Sequence, residues 1–396
     1  MLLSGYYKNK LYSMNPYSPQ SREHIVWADV LRFIAMFMVI SVHCTDPFNI
    51  SAAARLNPEY NFWGTIYGSV LRPCVPLFVM LTGMLLLPVK QEIGPFYKKR
   101  ILRVLFPFLI WSVLYDLFPW FTGILGCNPS VITSFFVYAG TAPSQALVDS
   151  LKNILMIPFN FTPFCTHMWY IYLLIGLYLF MPVFSAWIKD ATDKQKRLYL
   201  YLWGITLFMP YVSEYVSRYL FGACPWNGRF DMFYYFAGFN GYLLLGHYLS
   251  KGNSWSISKT VLISGVLFSI GYAITYTGFG RMVADPKSTE EQIELFFLYC
   301  TPNVVLMTIA VFLLVQKIKI TNLFWVNTFA HLTKYGFGIY MVHYFLVGPS
   351  FMIVNLIQVP IPLQIPVATS LTFGFAWLFT AGIYQLMPVK AKWIMG

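Results

Sequence analysis

Runs of about 20 mostly apolar residues recur along this 396-residue chain from position 25 to position 387. At ~1.5 Å per residue, such a run crosses a hydrocarbon core of ~30 Å as a helix. In lipid every backbone polar group must be satisfied within the protein, so only helices and closed barrels span. A barrel would show alternating segments of ~10 residues, and those are missing here. Hydrophobic residues make up 58% of the chain and charged residues 11%, against ~25% charged in a soluble globular chain. The fold class expected is all-α, a polytopic integral membrane protein.

The runs fall at 25–44, 62–89, 104–121, 167–188, 198–212, 232–249, 261–277, 295–315, 332–352 and 367–387. They predict about ten transmembrane helices in one membrane domain at 25–388. Residues 1–24 are polar and Tyr-rich and lack the apolar core of a signal peptide, so they are expected to form a cytosolic tail, as is 389–396. Two apolar pieces at 131–138 and 154–161 are too short to span and are expected to be interfacial or re-entrant.

A net charge of +12 would suggest nucleic acid if the cations were patched together. They are not; they sit between the apolar runs, where orientation signals belong. With ten spans and the N terminus inside, the inner segments hold Lys90, Lys98, Lys99, Arg100 and Arg103, then Lys189, Lys194, Lys196 and Arg197, then Lys317, Lys319, Lys390 and Lys392. The outer segments hold only Arg55, Lys152, Arg218, Arg229, Arg281 and Lys287. Both termini are therefore predicted cytosolic. The partners expected are a lipid bilayer and no nucleic acid. The six cysteines include no CxxC pair, so neither a zinc site nor a disulfide framework is predicted; one bridge among Cys127, Cys165, Cys224 and Cys300 is left open.

Ionisable residues inside a span are costly and normally face a partner or a wet cavity. The first run holds Asp29, Arg32 and His43. Arg32 and His43 are eleven residues apart, which is three helical turns plus ~20°, so they share a face with ~16 Å between them. Asp29 precedes Arg32 by one turn. A snorkelling Arg and an interfacial His would look the same from this helix alone. In the second run, Arg72-Pro73 and Pro76 should break the helix, which lipid tolerates only against protein or water. That places Arg72 at a polar site or, on the blander reading, at a kink reaching an interface.

A histidine suits general-base work near neutral pH, and arginine suits bidentate phosphate contact. The set fits acyl transfer from a coenzyme A thioester. It fits equally a proton-coupled transporter for an anionic or sugar substrate. No P-loop, HExxH, GxSxG or Rossmann fingerprint adds another chemistry.

Four segments carry a resemblance. DVLRFIAMFMVISVHC, the stretch from Arg72 through PCVPLFVMLTG, HMWYIYLLIGLYLFMP and YGFGIYMVH together resemble, in this order, motifs of the acyltransferase 3 family of membrane acyltransferases. Within it the chain is similar to the branch that contains the O-acetyltransferase of enterobacterial common antigen. Thr82 stands where the family often has Ser, and Val79 where it has a second Phe.

The resemblance implies an O-acyltransferase of the bacterial inner membrane. It would pass acetyl or another short acyl group from acetyl-CoA or another acyl-CoA to a hydroxyl of an envelope glycan or lipid-linked sugar. It implies His43 as the catalytic base and Arg32 and Arg72 as donor-binding residues; no metal is expected. Supporting roles fall to Asp29, His167, Trp169, Tyr170, Glu214, Tyr340 and His343. For these the blander readings are an ion pair for Asp29, belt aromatics for Trp169 and Tyr170, a packing histidine for His343, and a surface pair of Glu214 with Arg218.

Overall fold

A computed structural model describes residues 25–49, 56–127, 145–216, 230–252 and 254–396. Among them the regular elements are all helical. The helices are α1 Val26–Asn49, α2 Pro58–Val70, α3 Cys74–Leu86, α4 Ile93–Ile124, α5 Leu147–Met156, α6 Trp169–Asp190, α7 Asp193–Thr206 and α8 Met209–Tyr215. They continue with α9 Asn240–Leu249, α10 Ile257–Ala284, α11 Glu290–Glu294, α12 Pro302–Gln316, α13 Leu323–Leu356, α14 Ile361–Leu386 and α15 Ala391–Ile394. Eight helical stretches among the described residues are long and apolar enough to cross a membrane. The protein is a multi-pass membrane protein.

The two remaining stretches expected to span, 198–212 and 232–249, are not continuous helices of spanning length. Residues 198–212 divide between α7 and α8. Thr192 starts α7 with a capping box to Gln195, and Pro210, at the start of α8, removes a backbone donor where a continuous helix would need one. Residues 232–249 begin as a 3₁₀ turn, Asp231–Phe236, pass through Gly238 at φ +88° and only then enter α9. The left-handed backbone at Gly238 favours glycine.

Arg72-Pro73 breaks the second span as the sequence predicts: α2 ends at Val70 and α3 starts at Cys74. Asn57 opens α2 by accepting from the backbone N–H groups of Glu59 at 3.0 Å and Tyr60 at 3.3 Å, with Pro58 in the first turn, a sound helix start. The piece at 131–138 lies outside the described residues. In α5 the apolar Leu147, Val148, Leu151 and Leu155 face outward while Ser150 is buried, which fits a helix lying at an interface.

The C-terminal residues pack against the bundle. Residues 391–394 form α15, which packs on α4; Trp111 Nε1 donates to the Ile394 carbonyl at 2.9 Å, and Met395 is fully buried. Among the described cysteines Cys127, Cys165 and Cys300 are unbridged; Cys224 lies outside the described residues.

Helix α1 runs through the middle of the bundle and packs against α2, α3, α12, α13 and α14. Its N-terminal half shares a core with Leu77, Met80, Leu243 and Phe312, and its C-terminal half shares another with Trp111, Tyr115, Met168 and Met341. Helix α9 lies directly on α3. A Cβ at Gly83 would sit 2.0 Å from the Leu243 carbonyl oxygen, and one at Gly246 would sit 2.0 Å from that of Met80. Both obstacles are backbone and cannot rotate aside. Gly83→Ala or Gly246→Ala is therefore expected to cost about 1–3 kcal/mol or more, read as a lowered midpoint of thermal unfolding in detergent. Gly176→Ala, which meets nothing within 4 Å, is the neutral control.

Candidate active site

A cavity of about 390 Å³ lies beside α1, walled by α3, α4, α6 and α13. Arg32 and His43 both line it. Their spacing on one continuous helix puts ~16 Å between the two levels, so the cavity has distinct ends.

One end is cationic. Arg32 donates from Nη1 to Asp29 Oδ1 at 2.8 Å, a pair one turn long. Arg100 and Arg103 line the same end. Arg32, Arg100 and Arg103 line the cavity together with Tyr178, and all three act electrostatically on it. Three cations and one carboxylate leave this end with excess positive charge. The middle is apolar: Phe33, Met36, Phe78, Leu81 and Phe337 form it.

The other end holds histidines and aromatic rings. His43 Nδ1 is 3.0 Å from Asp46 Oδ2. An ionised carboxylate only accepts, so Nδ1 carries the proton and, in the neutral ring, Nε2 carries the lone pair. Asp46 follows His43 by one turn, which is why one helix supplies both. His167 comes from the 3₁₀ turn Pro163–Met168 that leads into α6. It is 1% exposed and lines the cavity, and its ring nitrogens make no hydrogen bond of good geometry, although the Met341 backbone lies within reach. Its ring centroid is 6.3 Å from that of His43 and stacks on Tyr344 at 4.7 Å. The Tyr340 hydroxyl donates to the His167 carbonyl, which fixes the turn. Buried polar groups without partners are rare in proteins, so His167 is equipped to contact something that enters the cavity.

His343 sits behind these rings, fully buried, 5.3 Å from His43 and 5.2 Å from His167 between centroids. Its Nδ1 donates to the Tyr340 carbonyl at 2.6 Å, since a carbonyl can only accept. It does not line the cavity itself. Trp169 and Tyr170 do, and Trp169 stacks on Tyr299 at 5.6 Å, so these rings face inward and not only a lipid boundary. Tyr340 lines the cavity as well.

Two of the expected residues lie elsewhere. Arg72 is not among the cavity's lining residues. Its Nε donates to the Gly68 carbonyl at 2.8 Å, and its guanidinium lies 3.9 Å from the Phe297 ring centre. Glu214, on α8, accepts from Gln292 Nε2 at 2.6 Å in an exposed contact away from the cavity; Arg218 lies outside the described residues. Conversely, Arg100 and Arg103 line the cavity and Asp46 holds His43, and none of the three stands out in the sequence as a site residue. In the sequence the two arginines read as orientation signals, and Asp46 lies beyond the first apolar run, 25–44. Their i, i+3 spacings, to each other and to His43, were the available signal.

The arrangement offers fixed cations for an anionic group, an apolar passage, and an oriented imidazole at the far end. No curated protein and no solved structure matches the chain. Residues 25–381 match the acyltransferase domain of the acyltransferase 3 family. That stretch contains both ends of the cavity and all four motif segments, and on it the chain belongs to the acyltransferase 3 family of membrane acyltransferases.

Proposed function

We propose that the protein is an O-acyltransferase, in the manner of the branch with the O-acetyltransferase of enterobacterial common antigen. It moves acetyl, or another short acyl group, from acyl-CoA to a hydroxyl of an envelope glycan or lipid-linked sugar in the bacterial inner membrane. The observation that carries this reading is that Arg32 and His43 line one cavity. A pantetheine arm has about the backbone length of four extended residues, or ~14 Å at ~3.5 Å each. That matches the ~16 Å between the levels of Arg32 and His43. Phosphates held by Arg32, Arg100 and Arg103 thus place the thioester beside His43, with the arm in the apolar middle. The charge distribution of the loops turns the arginine end to the cytosol, where acyl-CoA is made.

In direct transfer, His43 Nε2 takes the proton of the acceptor hydroxyl as its oxygen bonds to the thioester carbonyl carbon. Asp46 keeps the ring in that tautomer and balances the imidazolium. The tetrahedral intermediate collapses, the C–S bond breaks, and the imidazolium returns the proton to the thiolate. An ester and the free coenzyme A thiol leave.

The test uses full-length protein in proteoliposomes. Acetyl-CoA turnover is followed by thiol release, and sugar or anion counterflow is measured on the same vesicles. Thiol release above empty vesicles supports the reading. Counterflow without thiol release replaces it with the carrier.

A further inference from the structure

The histidine end of the cavity has an aromatic wall. Cys74, Trp169 and Tyr299 all line the cavity. Cys74 belongs to the core formed with the C-terminal half of α1, and Trp169 and Tyr299 pack against that same core. Leu81 and Tyr178, further along α3 and α6, belong to the core of the N-terminal half. The three residues therefore stand at the level of His43 and not of Arg32.

The wall is braced from several directions. The Trp169 and Tyr299 rings stack, with centroids 5.6 Å apart and planes 18° from parallel. The Tyr299 hydroxyl is 3.9 Å from Cys74 Sγ, and its carbonyl accepts from the Tyr242 hydroxyl at 2.6 Å. Tyr242 is fully buried and packs on Trp203 with centroids 5.0 Å apart. The Phe239 ring lies 6.4 Å from that of Trp169 and 6.3 Å from that of Tyr299. Phe239 does not itself line the cavity, so it stands behind the pair. Tyr299 is held by its backbone, its ring face and its hydroxyl, and turning it aside loses contacts at the last two. Interiors packed in this way yield little to an added group.

A donor with its phosphates at the arginine end reaches the level of His43 with its arm extended. The acyl group is the part that continues past the thioester carbon. Acetyl adds one methyl there. An octanoyl chain adds six more bonds, ~7 Å at ~1.2 Å per bond of an extended chain. The passage behind the thioester is filled by the arm, so the extra length has to displace a ring.

We propose that the stacked pair of Trp169 and Tyr299 sets the length of the acyl group, and that the protein takes a two-carbon group and rejects medium-length ones. This rests on the acyltransferase reading with the donor phosphates at the arginine end. It makes Trp169 a specificity residue and not a belt aromatic.

The test uses full-length protein in proteoliposomes and thiol release from acetyl-CoA and octanoyl-CoA, each read as kcat/KM. A single methylene in an apolar pocket discriminates by about 10–200-fold. Wild-type protein is therefore expected to use octanoyl-CoA at least about 100-fold less well than acetyl-CoA. Trp169→Ala is expected to raise the octanoyl-to-acetyl ratio at least about tenfold, whatever happens to the absolute rates. A merely structural role for Trp169 lowers both donors together and leaves the ratio where it was. Coenzyme A affinity by calorimetry reports whether the variant is folded. If Trp169→Ala no longer binds coenzyme A, Trp169→Phe, which keeps a ring in the stack but a smaller one, is read with butanoyl-CoA, and an unchanged butanoyl-to-acetyl ratio overturns the proposal. It is also overturned if wild-type protein uses octanoyl-CoA as well as acetyl-CoA, or if folded Trp169→Ala keeps the wild-type ratio. Thiol release from neither donor by the wild type defeats the acyltransferase reading, and the proposal falls with it; release from acetyl-CoA with an unmoved ratio in the variant defeats the proposal alone.

Discussion

Replacing His43 with Gln is expected to lower acyl transfer by about 10²–10⁴-fold, the usual share of a positioned general base. Glutamine keeps the size and polarity of the site but has no lone pair basic enough to take a hydroxyl proton. Thiol release with saturating acetyl-CoA reads the effect as kcat. Coenzyme A affinity should not change if the proposed phosphate site at the arginine end holds it, because that end is ~16 Å from His43. Asp46→Asn is the companion variant. An amide can donate to Nδ1 and so select the tautomer whose Nε2 carries the proton, which is the wrong one for a base. Its kcat should fall by at least about tenfold, with the ring still in place. A His43→Gln protein with wild-type turnover removes His43 from the chemistry.

The second large effect lies at the other end. Arg32→Gln together with Arg103→Gln removes two of the three guanidiniums that line the cavity together with Tyr178. A hydrogen bond to a charged group contributes about 1.5–3 kcal/mol, so the dissociation constant for coenzyme A is expected to rise by about 10²-fold or more. Dephosphorylated pantetheine should bind both proteins alike. Arg103 is exposed, so added salt should weaken binding to the native protein more than to the double variant. Equal loss of pantetheine and coenzyme A binding would show a collapsed cavity, not a lost phosphate contact. Arg32 also pairs with Asp29; a double change to Arg32→Gln with Asp29→Asn separates that pairing from donor binding.

Much of this was legible in the residues. The lengths of the apolar runs gave the helical membrane bundle, because lipid allows few alternatives. The eleven-residue spacing put Arg32 and His43 on one face, and a helix is rigid enough for that inference to survive folding. Arg72-Pro73 marked a real break, because proline acts through its own covalent geometry. What the sequence could not carry was tertiary. It offered no means of telling that Arg72 turns toward Phe297 while Arg100 and Arg103 turn toward Arg32. A basic cluster at a membrane boundary reads the same whether it sets orientation or lines a cavity. The breaks in the fifth and sixth spans depended on Pro210 and Gly238, weak signals inside otherwise apolar runs. Asp46 was hidden by its place beyond the apolar stretch, although α1 continues to Asn49.

Backbone-to-backbone contact at Gly83 and Gly246 leaves α3 without a compressible layer behind it. Side chains can change rotamer; two main chains in contact can only move together. The wall that presents Phe78, Leu81 and Thr82 is thus the stiff side of the passage. The compliant side is opposite, where Met36 on α1 faces Gly336 on α13, the position of a missing Cβ 3.8 Å from Met36 Cε. An unbranched thioether beside a residue with no side chain can adapt to what passes. A change in the width of the passage is therefore expected at Met36 sooner than at α3, while the spacing of its two ends along α1 stays constant.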